Sequence, residues 1–104
     1  MKGIMNGIYT ENWFGELEEA NLKTCLSKVT DTRGLYIEIG SFEGKSTVFI
    51  ANEIYPHALN AVDTWEGGPV AEYELMKYRT TPIEKNFDHN IATLTKGNVV
   101  KHKM

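Results

Sequence analysis

The sequence predicts an α/β fold, a parallel sheet with helices packed against it, from three observations. Short apolar and β-branched stretches at 35–40, 58–63 and 98–103 alternate with segments of helical periodicity. The first stretch runs into Gly40, and Gly44 follows it and opens a helix, which is how a chain leaves a buried strand by a tight turn. The second stretch ends in a carboxylate, Asp63.

Taken in order, residues 1–12 read as a loose arm, followed by Trp13 and Phe14. Glu16 to Val29 reads as an amphipathic helix, with Leu17, Ala20, Leu22, Cys25, Leu26 and Val29 near helical spacing. Glu16, Glu18 and Glu19 crowd its start and Lys28 its end, which suits the helix dipole. Asp31 to Gly34 is a turn into the first strand. A helix then runs from Lys45 to Ile54, with Val48, Phe49, Ala51 and Ile54 toward the sheet, and Pro56 stops it. After the second strand comes the loop Glu66-Gly67-Gly68-Pro69. A helix is expected over 70–78, a break at Thr80-Thr81-Pro82, and a further helix to Thr93 with Pro82 in its first turn. Lys96-Gly97-Asn98 turns into the last strand. The chain thus divides into an arm and helix, 1–34, and a strand–helix unit, 35–104, within one domain.

Composition narrows the function classes. At 104 residues the chain can bury one modest core, and 41% hydrophobic with 24% charged residues is ordinary for a globular protein. A net charge of −3 and the lack of a basic run with interleaved aromatics argue against a nucleic-acid surface. No stretch approaches the length of a membrane span, and Met1 to Gly7 is too polar and glycine-rich for a signal peptide. Cys25 stands alone, so no internal disulfide forms and a cytoplasmic setting is expected; its helical neighbours predict a buried, apolar role. His57 and His89 read as surface groups and His102 as facing either the missing half of the sheet or solvent; none has metal-ligand spacing, so no metal is expected.

The chemistry concentrates in Glu38-Ile39-Gly40-Ser41-Phe42-Glu43-Gly44-Lys45-Ser46-Thr47. This run nearly spells a phosphate-binding P-loop, but the Gly40–Gly44 interval is one residue short. Glu38 and Glu43 would also repel a polyphosphate lying in the loop. Phe42 stands where a dinucleotide fingerprint needs its second glycine, leaving less room for a pyrophosphate. A cationic or zwitterionic ligand fits better, with Glu38 accepting from an ammonium group and the loop N–H groups taking a carboxylate. Asp63 follows Gly40 at the distance of an acid that holds ribose hydroxyls from the tip of the second strand. The combination points to an adenosine-containing ligand without a pyrophosphate.

The segments Tyr36 to Ala51 and Ala61 to Gly68 resemble class I S-adenosylmethionine-dependent methyltransferases, in the branch with an E-I-G-S-x-x-G-x-S-T first motif and a V-D-T-W strand tip. The resemblance implies that Glu38 and Gly40 cradle the methionine end of the cofactor. It likewise implies that Ser41, Phe42, Gly44 and Ser46 form the turn and helix start, that Asp63 holds the ribose, and that Thr64 and Trp65 lie beside the adenine. Phe87-Asp88-His89-Asn90 resembles the F-x-x-N that precedes the third strand in that family. Trp13 or Phe14 would cover the cofactor. Taken singly, Trp65 reads as a packing residue and Lys45 as a solvated one.

A complete fold of this family needs a sheet of about seven strands, roughly 200 residues in one domain. The chain is therefore expected to be the N-terminal half of a Rossmann-like sheet, in strand order 3-2-1. No residue matches a catalytic base, and the methyl acceptor is open. The first strand would lie at an edge, which predicts a homo-oligomer paired across it, cover from the N-terminal arm or, failing both, poor stability. The second reading of the sequence is a non-catalytic half-Rossmann binding or assembly module; a P-loop-like nucleotide binder is a distant third.

Overall fold

The computed structural model describes residues 7–11, 13–29, 33–66 and 82–104. Three strands, β1 (Tyr36–Ile39), β2 (Leu59–Asp63) and β3 (Val99–Lys103), pair in parallel in the order β1-β2-β3. This is the expected order, with β1 at an edge. Three helices accompany them: α1 (Glu16–Ser27), α2 (Lys45–Ile54) and α3 (Ile83–Leu94). The expected helix over 70–78 lies outside the described residues.

Side-chain alternation divides the sheet into two unlike faces. On one face the register aligns Tyr36 with Leu59 and Val99, and Glu38 with Ala61 and Lys101. α2 turns Val48, Phe49, Ala51 and Ile54 inward, as its periodicity predicts. Ala51, Ile54 and Leu59 form one buried cluster, while Ala61, Trp65, Ile83 and Phe87 form the other; Val99 packs against both. On the opposite face Ile37 aligns with Asn60 and Val100, and Ile39 with Val62 and His102. Ile37 and Ile39 there are 57% and 81% exposed, and Val100 is exposed as well. Lys101 and Lys103 bind Glu84 at 2.5 and 2.6 Å, and Lys101 also binds Asp88 at 2.8 Å, tying β3 to α3. Hydrogen bonds from Lys101 and then Lys103 hold the Glu84 carboxyl below the usual carboxylate range.

α1 corrects one expectation. It has no buried residue, and Cys25 is exposed rather than packed. The helix meets the body of the fold against α2, with Leu22 and Leu26 half-buried; Cys25 lies off that contact line. Among the described residues, no helix is long and apolar enough to cross a membrane.

Candidate functional site

The turn between β1 and α2 is built from residues in the left-handed region. Gly40 has φ 86°, Gly44 has φ 89°, and Phe42, which is not glycine, has φ 50°. A carboxylate from the next strand supports that strained residue: the Phe42 N–H donates to Asp63 Oδ2 at 2.7 Å. The other carboxylate oxygen of Asp63 accepts from the Trp65 N–H at 2.9 Å, and Trp65 also has a positive φ, 59°. The Trp65 indole donates to the Phe42 carbonyl at 2.7 Å. One acid at the tip of β2 thus fixes two turns against each other.

Other N–H groups of the first turn are engaged too. Gly40 donates to the Val62 carbonyl at 2.7 Å, and Gly44 donates to the Ser41 carbonyl at 2.8 Å. With Phe42 bound to Asp63, three of the amides that a phosphate nest would need already have partners within the fold. The expected donation of these amides to a ligand carboxylate does not fit the arrangement. Glu38 is likewise occupied, accepting from the hydroxyls of Ser46 and Thr47 at the start of α2.

Glu43 differs most from the sequence reading, in which it faced the ligand as a repelling charge. Its side chain is buried, 1% exposed. One oxygen accepts from the Thr10 N–H at 2.5 Å; the other accepts from the Thr10 hydroxyl at 2.6 Å and from the Asn86 amide at 2.8 Å. Asn90 completes the attachment of the arm. Its oxygen accepts from the Ile8 N–H at 2.8 Å, and its amide donates to the Ile8 carbonyl at 3.0 Å and the Glu43 carbonyl at 2.9 Å. Of the segment read as a loose arm, residues 7–11 are fastened over the turn by two side chains from distant parts of the chain.

Two adjoining hollows result at the C-terminal end of the sheet. The smaller, about 240 Å³, lies under the arm, between the rings of Tyr9, Trp13, Phe14 and Phe42, with Glu11 and Lys45 in its wall. Ser41 and Tyr9 also line it, and both of their hydroxyl oxygens are buried without a hydrogen-bond partner among the described residues. Such groups cost free energy unless something bonds to them. Burial, and secondarily the Glu43 charge, push the Tyr9 phenol up to about 12, so it stays a donor at neutral pH. The larger hollow, about 410 Å³, lies over the strand tips and is lined by Ile39, Val62, Asp63 and Thr64. Trp13, Gly40 and Phe42 border both hollows.

The residues singled out from sequence therefore separate. Gly40 and Phe42 line both hollows, Ser41 and Ser46 the smaller, Asp63 and Thr64 the larger. Glu38, Gly44 and Trp65 line neither. Gly44 caps α2, and Trp65 packs in the core 4.8 Å from Phe87. Tyr9, Glu11, Asn86 and Asn90 were not anticipated as parts of the site; the Phe87–Asn90 motif was the one signal pointing to that region. Among the described residues, no group of histidine, cysteine or acidic side chains could hold a metal ion. No family model, curated protein or solved structure matches the chain.

Proposed function

We propose that the chain binds S-adenosylmethionine across the two hollows and serves methyl transfer. The observation that carries this reading is Asp63, a carboxylate at the tip of β2, in the wall of the larger hollow and locked to the glycine turn that follows β1. A carboxylate has about four acceptor sites. Two on Asp63 are engaged by N–H groups, which leaves capacity for ribose hydroxyls. The smaller hollow suits the amino-acid end. Glu11 and Lys45 put one charge of each sign in its wall, and the Ser41 and Tyr9 hydroxyls need partners.

The cofactor supplies an already activated methyl group, so the protein's task is placement and exclusion of water. Asp63 holds the nucleoside, the arm closes the smaller hollow, and the aromatic rings keep the space dry. The arrangement does not suit a nucleoside triphosphate, because the turn amides already have partners and Glu38 stands behind them.

Calorimetric titration tests the reading. S-adenosylhomocysteine and S-adenosylmethionine are expected to bind, and ATP with magnesium is not. Asp63→Asn should weaken both sulfur nucleosides about 10- to 100-fold, the worth of a hydrogen bond to a charged group. Tight magnesium–ATP binding, or unchanged affinity in a folded Asp63→Asn variant, would sink it. A second reading, a half-Rossmann binding or assembly module, is favoured by one observation, the exposed apolar face of the sheet at Ile37, Ile39 and Val100.

A further inference from the structure

Trp13 is a large aromatic residue that stays 63% exposed. Its ring meets Phe42 with centroids 5.1 Å apart and planes inclined by 37°. Phe42 is a fixed support, since Asp63 holds its N–H and the Trp65 indole holds its carbonyl. These two rings, with Gly40, are the elements common to both hollows. A ligand that fills both must pass beside them.

We propose that the Trp13–Phe42 ring pair reads positive charge at the middle of the ligand, so that the site prefers an onium centre to its neutral counterpart. This rests on the cofactor reading above and adds to it a residue pair that sets selectivity. In S-adenosylmethionine the atom joining the nucleoside to the amino-acid part is the sulfonium. A ligand with its nucleoside in the larger hollow and its amino-acid end in the smaller one brings that atom to the shared border. Aromatic faces attract cations through their quadrupole, tryptophan most strongly, and the attraction grows as water is excluded. Asp63 in the wall of the larger hollow adds potential of the same sign. The consequence is functional: methyl transfer turns the sulfonium into an uncharged thioether, so the product is held less tightly than the donor and exchanges for it.

The test is binding of S-adenosylmethionine, S-adenosylhomocysteine and an analogue with an ammonium in place of the sulfonium. Wild type, Trp13→Leu, Trp13→Tyr and Phe42→Leu are compared, each checked for folding by circular dichroism. The wild type should bind both charged ligands about 3- to 30-fold tighter than the thioether. Trp13→Leu should reduce that ratio to about 2 or less by weakening the charged ligands selectively, and Trp13→Tyr should keep most of it. Equal loss for all three ligands in Trp13→Leu, as from a ring that stacks on the nucleoside, overturns the inference. A wild type that binds charged and neutral ligands equally also overturns it and leaves the cofactor reading standing. A wild type that binds none of them overturns both.

Discussion

At the scale of single residues, Asp63 does two jobs that a substitution can separate. It accepts from two backbone N–H groups in residues of positive φ, and it offers its remaining acceptor sites to the larger hollow. Asp63→Ala is therefore expected to lower stability by about 2–4 kcal/mol as well as abolish tight nucleoside binding, whereas Asp63→Asn should lose affinity with a smaller loss of stability. Denaturant unfolding beside calorimetry separates the two effects. The position of Asp63 was legible from its spacing after Gly40. Its bonds to Phe42 and Trp65 were not, because they depend on left-handed backbone at two non-glycine residues, which no side-chain pattern announces. Glu38 shows the same limit: its place at the strand end was readable, but its capture by Ser46 and Thr47 was not. Tyr9 yields a pH prediction. With its folded-state value raised from 10.0 to about 12, its contribution is fully present below pH 10 and is lost as pH rises toward 12. Stability of the wild type should fall across that window more steeply than that of Tyr9→Phe. Parallel curves for the two proteins would contradict the placement of Tyr9.

Among the elements, the arm is where sequence reading fell short. Residues 7–11 have no periodicity and no cap signal, so they read as loose. Their backbone is satisfied instead by side chains 33 and 82 positions away, Glu43 and Asn90, and local patterns carry no record of such partners. The strands and α2 were legible because each depends on local spacing: apolar stretches close to β1 and β2, and the Val48, Phe49, Ala51 and Ile54 stripe of α2. α1 shows that a plausible stripe does not guarantee burial, since its apolar residues have little to pack against beyond α2. Two substitutions test the arm. A Cβ on Gly7 would lie 2.6 Å from Asn90 Oδ1 and 2.6 Å from the Tyr9 ring, so Gly7→Ala should lever the arm off. Asn90→Ala removes the acceptor and donor that hold Ile8. In both variants the Ile8 and Thr10 amides should exchange with solvent at least about 10-fold faster while the β2 amides keep their protection. Equal protection of Ile8 and Thr10 in variant and wild type would show that the arm is held by other contacts.

For the whole molecule, the order β1-β2-β3 puts β1 at an edge and, among the described residues, leaves one face of the sheet open. Parallel sheets are normally covered on both faces. Residues 7–11 of the arm bond to Glu43 and Asn90, and the rest of the arm lies outside the described residues. The sequence expectation of self-association through β1 predicts a concentration-dependent oligomer in sedimentation that Ile37→Lys dissolves; a monomer at high concentration would rule it out. Fold class and strand order follow from alternation of strand and helix, whereas the paired hollows follow from long-range polar contacts and could be seen only in three dimensions. The central claim is that the hollows, not the open face, are where the chain meets its ligand. An amide-resolved NMR titration with S-adenosylmethionine tests it most directly. The account predicts that shifts concentrate at Gly40 to Ser46, at Asp63 to Trp65 and at the Trp13 indole. Shifts gathered around Ile37 and Val100, or none at saturating ligand, would contradict it.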